Sequence, residues 1–278
     1  MQKILSAFFA FVLIIGSPVN VAMALGGGTY YVDASTPAGT GDGSLANPWT
    51  TISEAVAVAA SGDTVAVAPG IYDVALGESF PLYPATGTSI IGAPGARIIQ
   101  DEFTPTGQSV PVFDYDGAGY GPTLLSGFTI SAIQDAISIR PFHSSSSTTA
   151  VAGFEISNNH IDSIVGGGVY FYASYDDRAT LNVHDNTFNV AGVSADHAET
   201  LMGSIVISNN TFTDSAGDAI NGYLYFDENT SVSLSVDISG NTITNPAGSG
   251  IEYNISVDES EVAGYASVSI EGNTISGA

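Results

Sequence analysis

Asp176, Asp177 and Arg178, with Asp196 and His197 some twenty residues on, form the densest polar cluster of the 278-residue chain. Two carboxyl groups at a defined separation, with their pKa values pushed apart, can serve as the acid and base of glycoside hydrolysis. Asp176, Asp177, Arg178 and Asp196 are therefore the candidate catalytic residues. Paired carboxylates also suit Ca²⁺, a hard cation that takes several oxygen ligands. Asp176, Asp177, Asp227 and Glu228 are the candidate ligands for it. Further acidic runs lie at Asp196–Glu199 and Asp258–Glu261. The competing reading is a solvated acidic edge, the ordinary state of surface carboxylates. His143, His160, His184 and His197 show no HExxH spacing, and no EF-hand loop is present.

A second candidate set is aromatic. Short strands are expected to begin at Ile137, Val169, Val193, Ile220 and Ile251. With these apolar residues inward, alternation places their neighbours outward. One column is Ser138, Tyr170, Ser194, Asn221 and Glu252. The other is Arg140, Tyr172, Asp196, Tyr223 and Asn254. Stacked at a strand spacing of about 4.8 Å, they make an exposed face of rings, amides and carboxylates. Aromatic rings pack on pyranose faces, while amides and carboxylates bond hydroxyls. Arg140, Tyr170, Tyr172, Asn221, Tyr223 and Glu252 are thus candidate contacts for an extracellular polysaccharide. An ordinary amphipathic sheet surface is the alternative.

The elements that hold these residues come from a repeat. Ile156-Ser157-Asn158-Asn159-His160-Ile161 returns as Val183–Phe188, Ile207–Phe212, Ile238–Ile243 and Ile270–Ile275, with a degenerate copy at Leu125–Ile130. The second Asn falls at 159, 186, 210, 241 and 273, in steps of 27, 24, 31 and 32 residues. Around each phrase apolar and polar residues alternate, as strands require. A repeating unit with insertions of variable length means stacked coils with loops on the outside. Asn tolerates the left-handed backbone of a tight bend. Asn159, Asn186, Asn210, Asn241 and Asn273 are accordingly read as a structural ladder. The fold class is all-β: a right-handed parallel β-helix, its hand taken from the rule for parallel crossovers.

Composition narrows the function classes. There are 28 Asp and Glu against 4 Lys and Arg, and no cysteine. A nucleic-acid groove needs clustered basic residues, which this chain lacks. Disulfides, thiolate nucleophiles and Cys-based metal sites are excluded. Met1–Ala24 reads as a signal peptide: a basic start, an apolar run at Ile4–Gly16, and Ala22-Met23-Ala24 before the cleavage point. Its removal takes Lys3, the only lysine, and leaves Arg97, Arg140 and Arg178. The expected location is secreted, at the cell surface or periplasmic. No second apolar run of spanning length follows, so no membrane anchor is expected.

Residues 25–75 read as an N-terminal cap ahead of the coils of 76–278. Thr51-Ile52-Ser53-Glu54 has the pattern of a capping box before a helix over Ala55–Ala60 that Gly62 ends. A strand over Thr64–Ala68 and a turn at Pro69-Gly70 follow. Tyr30-Tyr31-Val32-Asp33, Gly41-Asp42-Gly43-Ser44, Asn47–Ile52 and Gly62–Tyr72 together resemble the opening module of pectate-lyase-like β-helix proteins. That group includes family-nine pectate lyases and uncharacterised secreted β-helix proteins. The resemblance implies a right-handed parallel β-helix. It also implies, for the lyases, a basic residue that abstracts a proton beside a uronate carboxylate and Ca²⁺ held by Asp and Glu. The lysine base of family nine has no counterpart here. At the far end, the last repeat runs straight to Ala278. Further coils or a subunit contact are expected there, since solenoid ends need covering. Two functions follow as expectations. One is a secreted β-helix that binds, and could cleave, a polysaccharide along the Tyr face. The other is a non-catalytic structural or adhesion module.

Overall fold

The computed structural model describes residues 27–101, 110–117, 121–141, 152–163, 165, 167–174, 178–198, 202–226, 231–257 and 263–277. The expected signal peptide, Asp176, Asp177, Asp227, Glu228, His143 and the 258–261 acidic run lie outside the described residues. Among the described residues, no helix is long and apolar enough to cross a membrane.

The chain winds as a parallel β-solenoid with three sheets. Sheet A holds Thr29–Val32, Thr64–Val67, Ser89–Gly92, Gly121–Ser126, Ala152–Ser157, Arg178–His184, Met202–Ser208, Ser231–Ser239 and Ala263–Glu271. Sheet B holds Gly70–Tyr72, Ala96–Gln100, Thr129–Ala132, His160–Ser163, Thr187–Asn189, Thr211–Thr213, Thr242–Thr244 and Thr274–Ser276. Sheet C holds Phe113–Gly117, Ile137–Pro141, Val169–Ser174, Val193–Ala198, Ile220–Phe226 and Ile251–Val257. Neighbouring strands pair in parallel, one coil to the next. The residues just after each Asn bend, such as Thr187–Asn189, form a strand of their own. Each full coil therefore has three sides.

The core is built from columns of like residues. Ile130, Ile161, Phe188, Phe212 and Ile243 stack in register inside sheet B, all buried. The Phe188 and Phe212 rings lie parallel, with centroids 4.7 Å apart. Leu125, Ile156, Val183, Ile207 and Ile238 form the facing column of sheet A. Parallel sheets bury their inner faces along the whole stack, which is why the β-branched and aromatic positions recur at every coil.

The corner between sheets A and B is held by the Asn ladder. The Asn159 N–H donates to Asn186 Oδ1 at 2.9 Å, Asn186 to Asn210 at 3.0 Å, Asn210 to Asn241 at 2.9 Å and Asn241 to Asn273 at 2.9 Å. Each amide nitrogen donates back to a carbonyl of the preceding coil, as Asn210 Nδ2 does to Val183 at 2.8 Å. Asn159, Asn186, Asn210 and Asn241 are 1–3% exposed. They are not the residues in the left-handed conformation. That role falls one place earlier, to Gly127, Asn158, Asp185, Asn209, Gly240 and Gly272, with φ between 56° and 88°. This explains the phrase: the first position needs a residue tolerant of positive φ, the second needs an amide.

The cap helix, α1, is shorter than expected. It spans Ile52–Val56, with Ala57 as its C-cap, rather than running to Ala60. The Asp63 carboxylate accepts the Ala60 N–H at 2.8 Å and the Gly28 N–H at 2.6 Å. A side chain that captures backbone donors in this way competes with the helix. The capping box is present: Thr51 Oγ1 accepts the Glu54 N–H, and Glu54 accepts the Thr51 N–H. Glu78, 4% exposed, accepts from the N–H groups of Ile52 and Ser53 at 2.5 and 3.0 Å. Burial pushes its pKa up. The helix presents Ile52, Ala55 and Val56 to the core.

Candidate functional site

The outer face of sheet C gathers the aromatic candidates. Its first row, in register, reads Asp114, Ser138, Tyr170, Ser194, Asn221, Glu252. The next holds Tyr172, Asp196, Tyr223, Asn254, and in the first two coils Asp116 beside Arg140. These residues alternate with inward Ile139, Phe171, Ala195 and Leu224, all fully buried. Alternation on a two-residue period, fixed by the buried face, leaves them no other side.

The relief of this face comes from side-chain size. The strand Val193–Ala198 puts out Ser194 and Asp196. The coil before it puts out Tyr170 and Tyr172, and the coil after it Asn221, Tyr223 and Tyr225. The small row is thus a trough floor between two taller walls. Walls two coils apart stand about 10 Å from one another at the usual strand spacing. Tyr223 is 40% exposed, and its ring stacks on Tyr225 with centroids 6.3 Å apart. At the foot of the trough lies a cavity of about 80 Å³, lined by Asp135, Gly168, Tyr170, Gly192, Asp218 and Asn221 among others. Gly168 and Gly192 let successive coils approach closely beside it: a Cβ on Gly168 would strike the Gly192 carbonyl, and one on Gly192 would approach the Asp218 carbonyl at 2.8 Å.

The electrostatics follow from burial and pairing. Burial raises the Asp196 pKa, against the N–H of Tyr223 that lowers it. Burial also raises Asp135. Tyr170 is pushed up by burial and then by the Asp196 charge. Asp218 Oδ1 accepts from the Ser249 N–H at 2.6 Å, and Glu252 accepts from Ser249 Oγ and Asn254 Nδ2 at 3.2 and 3.1 Å. Asn221 Oδ1 is buried without a hydrogen-bond partner. Arg140 is paired with carboxylates through one of its guanidinium nitrogens. Its Nη2 lies 3.1 Å from both Asp114 oxygens and 3.7 Å from Asp116 Oδ2, and the hydrogen bond to Asp114 raises its pKa.

The sequence-derived sets meet different fates. Tyr170, Tyr172, Asn221, Tyr223 and Glu252 share the sheet C face, with Arg140 at its early end. Asp196 lies on the floor between Tyr172 and Tyr223. Arg178 begins a strand of sheet A, a different face of the solenoid. Its side chain and that of His197 lie outside the description, as do Asp176, Asp177, Asp227 and Glu228. Among the described residues no three His, Cys, Asp or Glu side chains converge as a metal site. Asp114, Asp135 and Asp218 belong to the site and were not among the candidates. The shared Asp-Ala-Ile at 135–137 and 218–220 was the signal for two of them.

A parallel β-solenoid carrying an aromatic-walled, carboxylate-floored trough on one of three faces is the class these observations define. The chain belongs to the family described as Protein of unknown function (DUF1565), which matches residues 36–276. No curated protein and no solved structure matches it.

Proposed function

We propose that this protein binds an extracellular polysaccharide across the outer face of sheet C. The carrying observation is the pair of tyrosine walls, Tyr170 with Tyr172 and Tyr223 with Tyr225, set one coil to either side of Ser194 and Asp196. Rings at that spacing can receive the flat face of a sugar, and the row between them supplies hydrogen-bond partners for its hydroxyls. A solenoid gives such a surface rigidity, since every side chain stands on a strand paired on both sides. Asp196 stands between the walls and Asp135 and Asp218 at their foot, so the face offers acceptors to sugar hydroxyls.

The test is a glycan panel run with residues 25–278, reading retention together with release of reducing or unsaturated ends. Retention without release is expected. The double variant Tyr172→Ala, Tyr223→Ala should lose retention while its far-UV circular dichroism stays that of the parent. Retention unchanged in the double variant would refute the trough. A folded parent that retains nothing would shift the reading to a structural surface module.

A further inference from the structure

The charge on the sheet C face has one sign left to offer. Asp114, Asp116, Asp196 and Glu252 stand on it, and among its described residues Arg140 is the only base. Arg140 is already shared between Asp114 and Asp116. The chain as a whole has 28 acidic residues against 4 Lys and Arg. A ligand carboxylate entering between the tyrosine walls would meet Asp196 on the floor, while Arg140 stands at the early end of the face, paired with Asp114 and Asp116.

The hydrogen-bonding inventory points the same way. The foot of the trough is rich in acceptors: Asp135, Asp218 and Asn221 line it. Acceptors call for donors. Hydroxyl groups donate. An ionised carboxylate accepts only.

Resting on the glycan-binding reading above, we infer that the trough takes an uncharged, hydroxyl-rich glycan and rejects polyuronates. Stacking on Tyr172 and Tyr223 serves either kind of sugar, so the walls supply affinity and the floor supplies the discrimination. A uronate carboxylate is repelled by Asp196, and it brings only acceptors where the neutral sugar brings a hydroxyl donor. The lyases whose opening module this chain resembles act on uronates, and in this respect the site departs from them.

The experiment takes the neutral polymer that the panel retains and compares it with the same polymer oxidised at C6 to the uronate. Binding is measured by calorimetry at low and high salt, with EDTA and with added Ca²⁺. The oxidised form is expected to bind at least about tenfold more weakly at low salt, with the gap narrowing as salt screens the repulsion. Equal binding of the two forms, with or without Ca²⁺, would overturn the inference. So would a panel in which only polyuronates are retained, although glycan binding itself would then stand. A panel that retains nothing removes the binding reading and this inference with it.

Discussion

Asn209 and Asn210 are adjacent, identical in type and opposite in role, so glycine substitution at each separates bend from ladder. Asn209 is exposed, with φ of 56°. Glycine adopts that conformation freely, and Asn209→Gly should change stability by less than about 0.5 kcal/mol. Asn210 is 1% exposed. Its Oδ1 accepts the Asn186 N–H at 3.0 Å, and its Nδ2 donates to the Val183 carbonyl at 2.8 Å and to Asn241 Oδ1 at 3.1 Å. Glycine there leaves the Asn186 N–H with no acceptor and the Val183 carbonyl short of one donor. Each buried orphan costs about 1–3 kcal/mol, so a loss of about 2–4 kcal/mol is expected. Asn210→Asp tests the same logic by charge. Its second oxygen would face the Val183 carbonyl, so the variant should be the less stable of the two at neutral pH. It should recover in acid, where the protonated carboxyl can donate. Urea unfolding followed by far-UV circular dichroism reads all three. Equal losses for Asn209→Gly and Asn210→Gly would refute the division of labour.

Three further expectations are independent of the ladder. Glu78→Ala strips the acceptor from the first two N–H groups of helix α1 and should cost about 1–3 kcal/mol in urea unfolding, a loss that no salt concentration restores. Gly222→Ala would drive a Cβ into the Tyr253 ring and the Ala195 carbonyl, to which Tyr253 Oη donates at 2.9 Å. It should cost about 1–3 kcal/mol, and Gly222→Ala with Tyr253→Ala should recover part of it in a double-mutant cycle. His184 is bonded by Glu155 at 3.3 Å and Asp185 at 2.8 Å, and these carboxylates raise its pKa above 6.5. The charged pairings stabilise the fold fully below that value and fade as pH rises through the raised one. The stability difference between the parent and His184→Asn should therefore be about 0.5–1 kcal/mol in mild acid and vanish in alkali. A difference that grows with pH would reverse the assignment.

Much of the architecture was legible because it is written in periodicities. The five Asn phrases set the coil length, and alternation around Val193 and Ile220 gave both the start of the sheet C strands and their outward columns. The sheet B strands were harder to see. Thr211–Thr213 has three residues, too few for alternation to register. The length of helix α1 was misjudged because Ala55–Ala60 has strong helical propensity, while the competing acceptor, Asp63, acts through a tertiary contact with Gly28. The left-handed residue was placed one position late, since Asn158-Asn159 and Asn209-Asn210 offer two residues of equal tolerance. In the site, the Tyr columns could be read from register alone. Trough depth could not, because it depends on Ser194 and Asp196 lying between taller coils, a comparison across three repeats. Asp114 and Asp135 escaped because their roles are set by partners 26 and more residues away, Arg140 for the first and the Gly167–Gly168 turn for the second.

The ladder has a direction, and that direction bears on how the chain is made. Every Asn accepts through its Oδ1 from the coil before it, and its amide nitrogen donates back to a carbonyl of that coil and, where a further Asn follows, forward to that Asn's Oδ1. A bend is thus completed only when its successor arrives. During synthesis the capped N-terminal coils emerge first, and each new coil supplies the acceptor its predecessor lacks. The finished stack thereby offers the next turn a set of backbone donors in one register, and stability grows with each interface added between neighbouring coils.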